Sequence, residues 1–313
     1  MIKELDIHKV NEVLAELKNL DLKNVKAETI KELLSMLYKH IGVKRKLRKG
    51  QYIQRTVLLN TEAEDYFPTE IHRISYNPKG SAMGRCNFDG ESIFYSCVAS
   101  EIIEGYDCAG LETLKLELIG LQQNRFVTGN WLLSDETEFL FIGGASNLTY
   151  LSDAGKSRHL MFHRAISNYK ELMLPLYAID KFICEQFSKE VPADEPWQYK
   201  VSAVYAQMVR ESGGKGLIYP SVKSAGAGTN LILFKDKVNE GLITFDKCIY
   251  GIYYTRDSES INEYLMNATE DNGKLVWRDN YQGRITRSIR DYYLGRTDKN
   301  PLANKVPIID LGK

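Results

Sequence analysis

Hydrophobic residues in this chain change their period several times, and that alternation bounds the fold more tightly than any single motif. Leu5, Val10, Val13, Leu14 and Leu17 recur at helical spacing, and Ile30, Leu33, Leu34, Leu37 and Ile41 do so again. Residues 1 to about 42 therefore read as two amphipathic helices that stop near Gly42. From about residue 62 the texture turns to short apolar runs cut by Gly, Pro and Asn, so that Glu70 to Tyr76, Ser92 to Val98 and Glu138 to Ile142 read as strands. Helical spacing returns over Ala165 to Lys189 and over Pro196 to Glu211, the latter with Pro196 near its first turn and Gly213-Gly214 as its stop. Strand-like runs follow at Gly216 to Tyr219 and Asn230 to Phe234. The expected class is α+β, with small antiparallel sheets surrounded by helices.

With 313 residues, of which 43% are hydrophobic, the chain can bury a large core. No internal repeat or low-complexity segment points to an array. The expected division is a helical N-terminal extension over 1–60, one catalytic-sized domain over 61–260, and a C-terminal extension over 261–313. In that last segment Arg287, Arg290, Tyr292 and Tyr293 fall on a short helix whose role cannot be read.

Lys plus Arg and Asp plus Glu each number 41, so the whole-molecule field gives no pull toward nucleic acid or an anionic membrane. One local exception is Val43 to Gly50 (VKRKLRKG), which reads as a solvated linker or as a binder of a phosphate-bearing partner. The five cysteines form no CxxC pair and suit reduced thiols. The N-terminus lacks an apolar signal core and no run approaches the roughly 18 apolar residues of a membrane span, so a cytoplasmic, membrane-free protein is expected.

Several chemistries lack their signatures. There is no GxSxG elbow, no GxGxxG opening a helix after a strand and no GxxxxGK[ST] loop, which disfavours a serine hydrolase, a Rossmann dehydrogenase and a P-loop NTPase. His159 and His163 have zinc spacing on a helix, but the glutamate of HExxH and further ligands are missing, so no metal is expected.

Four segments place reactive side chains beside glycines and apolar strands. They are His72-Arg73-Ile74; Gly84-Arg85-Cys86-Asn87-Phe88-Asp89-Gly90; Ile93-Phe94-Tyr95-Ser96 with Ala109-Gly110-Leu111-Glu112; and GLIYPSVKSAGAGTNLILF over 216–234. The order of an Arg, GRxNxxG, a strand with Tyr, a Glu and GxxYPSxxxxGxxN resembles the RES domain, over roughly residues 70 to 235. That resemblance implies an ADP-ribosyltransferase-like core and a toxin enzyme that cleaves NAD at the nicotinamide–ribose bond, by hydrolysis or phosphorolysis. It also implies an Xre-like helix-turn-helix antitoxin as partner. NAD is then substrate and no separate cofactor is needed; a homo-oligomer stays open.

The residue chemistry is compatible with that implication. Arg73 and Arg85 can fork two N–H donors onto a pyrophosphate, or form structural ion pairs instead. Nicotinamide leaves as a neutral molecule and positive charge grows on the ribose, so one fixed carboxylate can stabilise the transition state without a general acid. Glu112 is the choice for that role, because Ala109-Gly110-Leu111-Glu112-Thr113-Leu114 reads like the start of the family's helix, and Glu101 is the runner-up; the spacing from Tyr95 to Glu112 is longer than the family pattern and suggests an inserted loop around Gly105-Tyr106-Asp107. Tyr95 can stack on nicotinamide or a ribose face, or serve as a core tyrosine. Ser221, after Tyr219-Pro220, is read as a hydrogen-bonding residue, and Asn87, Gly226, Gly228 and Asn230 as parts of the ligand-binding loops. The alternatives are an ADP-ribosyltransferase acting on a protein and a non-catalytic binding module.

Overall fold

The computed structural model describes residues 6–38, 43–59, 68–98, 123–145, 153–221, 229–256 and 259–279. Its helices are α1 (Ile7–Asn19), α2 (Ala27–Tyr38), α3 (Asp153–Ile166), α4 (Met173–Phe187), α5 (Lys200–Glu211) and the short α6 (Lys235–Asn239). Its strands are β1 (Lys44–Leu47), β2 (Tyr52–Leu59), β3 (Ile93–Val98), β4 (Gln123–Leu133), β5 (Thr137–Phe141), β6 (Gly216–Pro220), β7 (Thr229–Phe234), β8 (Ile243–Arg256), β9 (Glu259–Asp271) and β10 (Lys274–Asp279). The architecture is α+β. The chain threads two compact units, one formed by 1–51, 76–98 and 133–242, the other by 52–75, 99–132 and 243–313.

The first unit holds strands in the order β1-β5-β6-β7-β3, antiparallel except for β5 beside β6, which run parallel. Helices cover one face of this sheet. Asp6 caps α1 by accepting the His8 backbone N–H at 2.9 Å. The stripes foreseen from spacing, Val10, Leu14 and Leu17 on α1 and Ile30, Leu33, Leu34 and Leu37 on α2, are buried in one cluster with Ile179, Phe182 and Ile183 of α4 and Val204, Tyr205 and Met208 of α5. Leu217, Tyr219, Ile232 and Phe234 close that cluster from the sheet. The N-terminal helices thus contribute to the main core of this unit.

The second unit holds β2-β4-β8-β9-β10. Strand β2 pairs antiparallel with β4 from Tyr52↔Leu132 to Leu59↔Arg125, and β8 to β10 form a meander with a register shift at Tyr250/Gly251. The β9–β10 turn is Asn272-Gly273, both at positive φ (51° and 79°), the conformation of a tight primed hairpin turn.

Three expectations are corrected. Glu70 to Tyr76 is not a strand: Ile71–Ile74 forms a 3-10 turn, in which Ile74 is buried while His72 and Arg73 are exposed. The apolar spacing of three between Ile71 and Ile74 matches one turn of that helix. The basic run is not a linker but strand β1. Its lysines face acidic residues on β5 and the adjoining turn, Lys44 with Glu138 at 3.2 Å and Lys46 with Glu136 at 2.5 Å. The helix expected over Ala165 to Lys189 is two: α3 ends at Ile166, a 3-10 turn spans Lys170–Leu172, and α4 starts at Met173 with Pro175 in its first turn, where its missing N–H is harmless. Arg287, Arg290, Tyr292 and Tyr293 lie outside the described residues.

Candidate functional site

The GRxNxxG segment is a loop tied down from within. Gly80 donates to Asn77 O at 3.1 Å, Ser81 N to Glu91 O at 3.1 Å and Gly90 N to Ser81 O at 3.0 Å, which closes the loop on itself. Gly80 lies at φ +83°, and a Cβ there would overlap the Gly90 carbonyl, so close backbone approach demands glycine. Asn87 is buried and donates its amide to Ala82 O (2.9 Å) and Phe88 O (3.0 Å). Its Oδ1 accepts from the Tyr95 hydroxyl at 3.0 Å, and the same hydroxyl accepts the Cys86 backbone N–H at 3.0 Å. A Cβ at Gly84 would come within 2.9 Å of Asn87 Oδ1 and 3.1 Å of the Tyr95 hydroxyl, which explains the first glycine of the motif.

Arg85 leaves this loop with one terminal nitrogen donating to Lys189 O at 2.8 Å and its guanidinium 5.2 Å from the centre of the Tyr199 ring. Its Nε is buried without a hydrogen-bond partner among the described residues.

Strand pairing brings the later motif to the same place. Tyr95 stands opposite Ile232, Cys97 opposite Asn230, and Asn230 opposite Tyr219, so Cys97, Asn230 and Tyr219 form one cross-strand row. Tyr219 and Ile232 belong to the helix-covered core and Tyr95 packs against it, so this row lies on the helix side. The Cys86 thiol meets the hydroxyls of both Tyr95 and Tyr219; burial, outweighing those hydrogen bonds and the nearby Arg85, pushes it up to about 12. Burial likewise drives the Tyr95 hydroxyl well above its ordinary value. Neither group is an acid or base at neutral pH.

Ser221 follows Pro220 at the end of β6 and is buried. Beside it lies a constellation that the sequence reading missed. The Asp180 carboxylate on α4, itself buried, accepts the backbone N–H of Gly143 at 3.1 Å and of Ala145 at 2.7 Å, in the loop that follows β5. Gly143, at φ +100°, sits so close to the Pro220 ring that a Cβ there would come within 2.8 Å of it. His159 Nδ1 donates to Gly144 O at 2.9 Å, and a Cβ on Gly144 would overlap Phe162. Asp180 is pushed up to about 6 by burial, against the lowering effect of the backbone N–H groups of residues 143 to 145.

Neither a protein-family model nor a curated protein matches the chain. Among solved structures, the MbcT–MbcA toxin–antitoxin complex of M. tuberculosis aligns over 66% of this chain and 86% of that chain, with 12% sequence identity and a TM-score of 0.29. A superposition that loose carries no chemistry with it.

Arg85, Asn87, Tyr95, Ser221 and Asn230 therefore share the first unit, whereas Arg73 belongs to the second, exposed on its 3-10 turn with Ile74 as anchor. Glu112, its runner-up Glu101, Gly226 and Gly228 lie outside the described residues. In the second unit a buried polar ladder also went unforeseen: Gln54 donates to Asn130 at 3.0 Å, and the hydroxyls of Thr56 and Thr128 are 2.9 Å apart. The alternation of polar residues in β2 and β4 was the available signal. His159 and His163 meet as edge-on rings 4.6 Å apart, and among the described residues no three His, Cys, Asp or Glu side chains gather as metal ligands. No described helix is long and apolar enough to cross a membrane.

Proposed function

We propose that this chain is a toxin enzyme with an ADP-ribosyltransferase-like core that breaks the bond between nicotinamide and ribose in NAD. The observation that carries the reading is the meeting of two motif segments far apart in sequence: Cys86 of GRxNxxG lies against Tyr95 and against Tyr219 of the YPS segment. Glycines and an asparagine whose only local effect is to shape a loop are here matched to a tyrosine from the following strand.

In this reading the Arg85 guanidinium, carried on the GRxNxxG loop, grips the pyrophosphate and adjoining ribose. Asn87 and Tyr95 hold the loop that carries Arg85. Ser221 and Asn230 supply hydrogen bonds at the ends of β6 and β7. The family resemblance assigns to Glu112 the carboxylate that stabilises the developing positive charge on the ribose. The electron pair of the broken C–N bond leaves with nicotinamide, an oxygen of water or phosphate bonds to the ribose carbon, and the proton of the attacking oxygen passes to solvent. No metal or second cofactor enters. The family resemblance further assigns a helix-turn-helix antitoxin of the Xre kind as the neutralising partner, in the cytoplasm.

Purified protein incubated with NAD, with and without phosphate, tests this by liquid chromatography and mass spectrometry. Nicotinamide together with ADP-ribose or its 1-phosphate is expected without any acceptor protein. NAD recovered intact under both conditions overturns the reading, and ADP-ribose found only on added protein would replace it with transferase activity.

A further inference from the structure

The buried Asp180 has no part in the chemistry described so far, yet its surroundings link it to Ser221. From α4 its two oxygens take the N–H groups of Gly143 and Ala145, one on each. Cys184, one turn further along the same helix, also lies against Gly143: a Cβ on Gly143 would stand 3.1 Å from its Sγ and 2.8 Å from the Pro220 ring. Gly143 is therefore held between α4 and Pro220, and Ser221 is the next residue. The preceding backbone is locked as well, with Ile142 N donating to Ile218 O at 2.9 Å and Phe141 in parallel register with Ile218.

We propose that Asp180 is a positioning residue for the site that contains Ser221: its carboxylate clamps the Gly143–Ala145 loop against Pro220 and so sets where the Ser221 hydroxyl points. This rests on the NAD-cleavage reading for its effect on rate, but the clamp itself does not. Both carboxylate oxygens accept a backbone N–H here; protonation makes one of them an O–H donor and a poorer acceptor for the N–H it faces. The other titratable groups at the clamp are His159 on α3, whose Nδ1 holds Gly144 O, His163 against its ring, and Cys184 on α4. Among the described residues no charged side chain contributes to the upward shift of Asp180, which comes from burial.

The test is Asp180→Asn, which keeps the size and mimics the protonated acid. Nicotinamide release per folded molecule should fall about tenfold or more, consistent with the loss of one buried hydrogen bond, and the rate should no longer rise between about pH 5 and about pH 7.5 as it does in the unaltered protein. His159→Gln, which replaces the imidazole that holds Gly144 O, should keep that rise. Hydrogen exchange gives a readout independent of catalysis: the substitution should speed exchange both in 143–145 and in 216–221. The unaltered protein, corrected for intrinsic exchange, should show the same difference between about pH 5 and about pH 7.5, so the measurement survives a variant that does not fold. Unchanged exchange at 216–221 in these comparisons overturns the clamp. If the unaltered protein leaves NAD intact, the enzyme reading fails and exchange alone decides the clamp; if it cleaves NAD and Asp180→Asn cleaves it equally well, the positioning role fails while the enzyme reading stands.

Discussion

Replacing Tyr95 by Phe removes one oxygen from a hub that two groups depend on. The hydroxyl accepts the Cys86 N–H and donates to Asn87 Oδ1, both at 3.0 Å. Asn87 cannot turn to compensate, because its amide nitrogen is committed to Ala82 O and Phe88 O. Each buried group left without a partner costs about 1–3 kcal/mol, so with two such groups Tyr95→Phe should destabilise the protein by about 2–6 kcal/mol, a large part of the ~5–15 kcal/mol that a folded protein commands. Urea unfolding at unchanged slope measures it as a lower midpoint. Asn87→Ala should cost a similar amount, and the double variant should cost clearly less than the two together, because the same bond is lost in each. A midpoint within about 0.5 kcal/mol of the parent, or strict additivity, would refute the hub.

Gly144→Ala drives a methyl group into Phe162 of α3, and a loss of about 1–3 kcal/mol should appear as a lower thermal midpoint; an unchanged midpoint would mean that α3 does not press on this loop. For Asp180, a carboxyl at about 6 when folded and at its ordinary value of 3.8 when unfolded binds more protons in the folded state. Stability should therefore fall as pH rises across that window, by about 3 kcal/mol, and Asp180→Asn should flatten the slope in pH-dependent urea unfolding. The thiols of Cys86 and Cys248, both buried and pushed up to about 12, should resist alkylation by iodoacetamide in the folded protein at neutral pH; mass spectrometry showing labelling at free-thiol rates would contradict their burial.

Much of the first unit was legible in the chain. The stripes of α1, α2 and α5 and the runs of β3, β6 and β7 emerged where expected, because each follows from the period of one element and from Gly or Pro at its ends. Other signals were present and passed over. Asn272-Gly273 is a hairpin dipeptide, and it forms the β9–β10 turn within 261–313, where the sequence suggests only an extension. The lysines of β1 hid an edge strand, since charge alone suggested solvent while their pairing with Glu136 and Glu138 is visible only across strands.

The site divides in the same way. Residue type and order in GRxNxxG and YPS pointed to a loop and a turn, which local stereochemistry can specify. That Gly84 must be small because the Asn87–Tyr95 bond passes there, or that Gly143 must yield to Pro220, depends on atoms contributed by distant segments. Asp180 shows the limit most clearly. Between Ile179 and Lys181 it reads as one more charge on an amphipathic helix, and it is buried as an acceptor only because a loop nearly forty positions earlier turns its N–H groups inward. Periodicity reports the geometry of a single element; the fate of a polar group is settled by which partners the assembled chain places within hydrogen-bond reach.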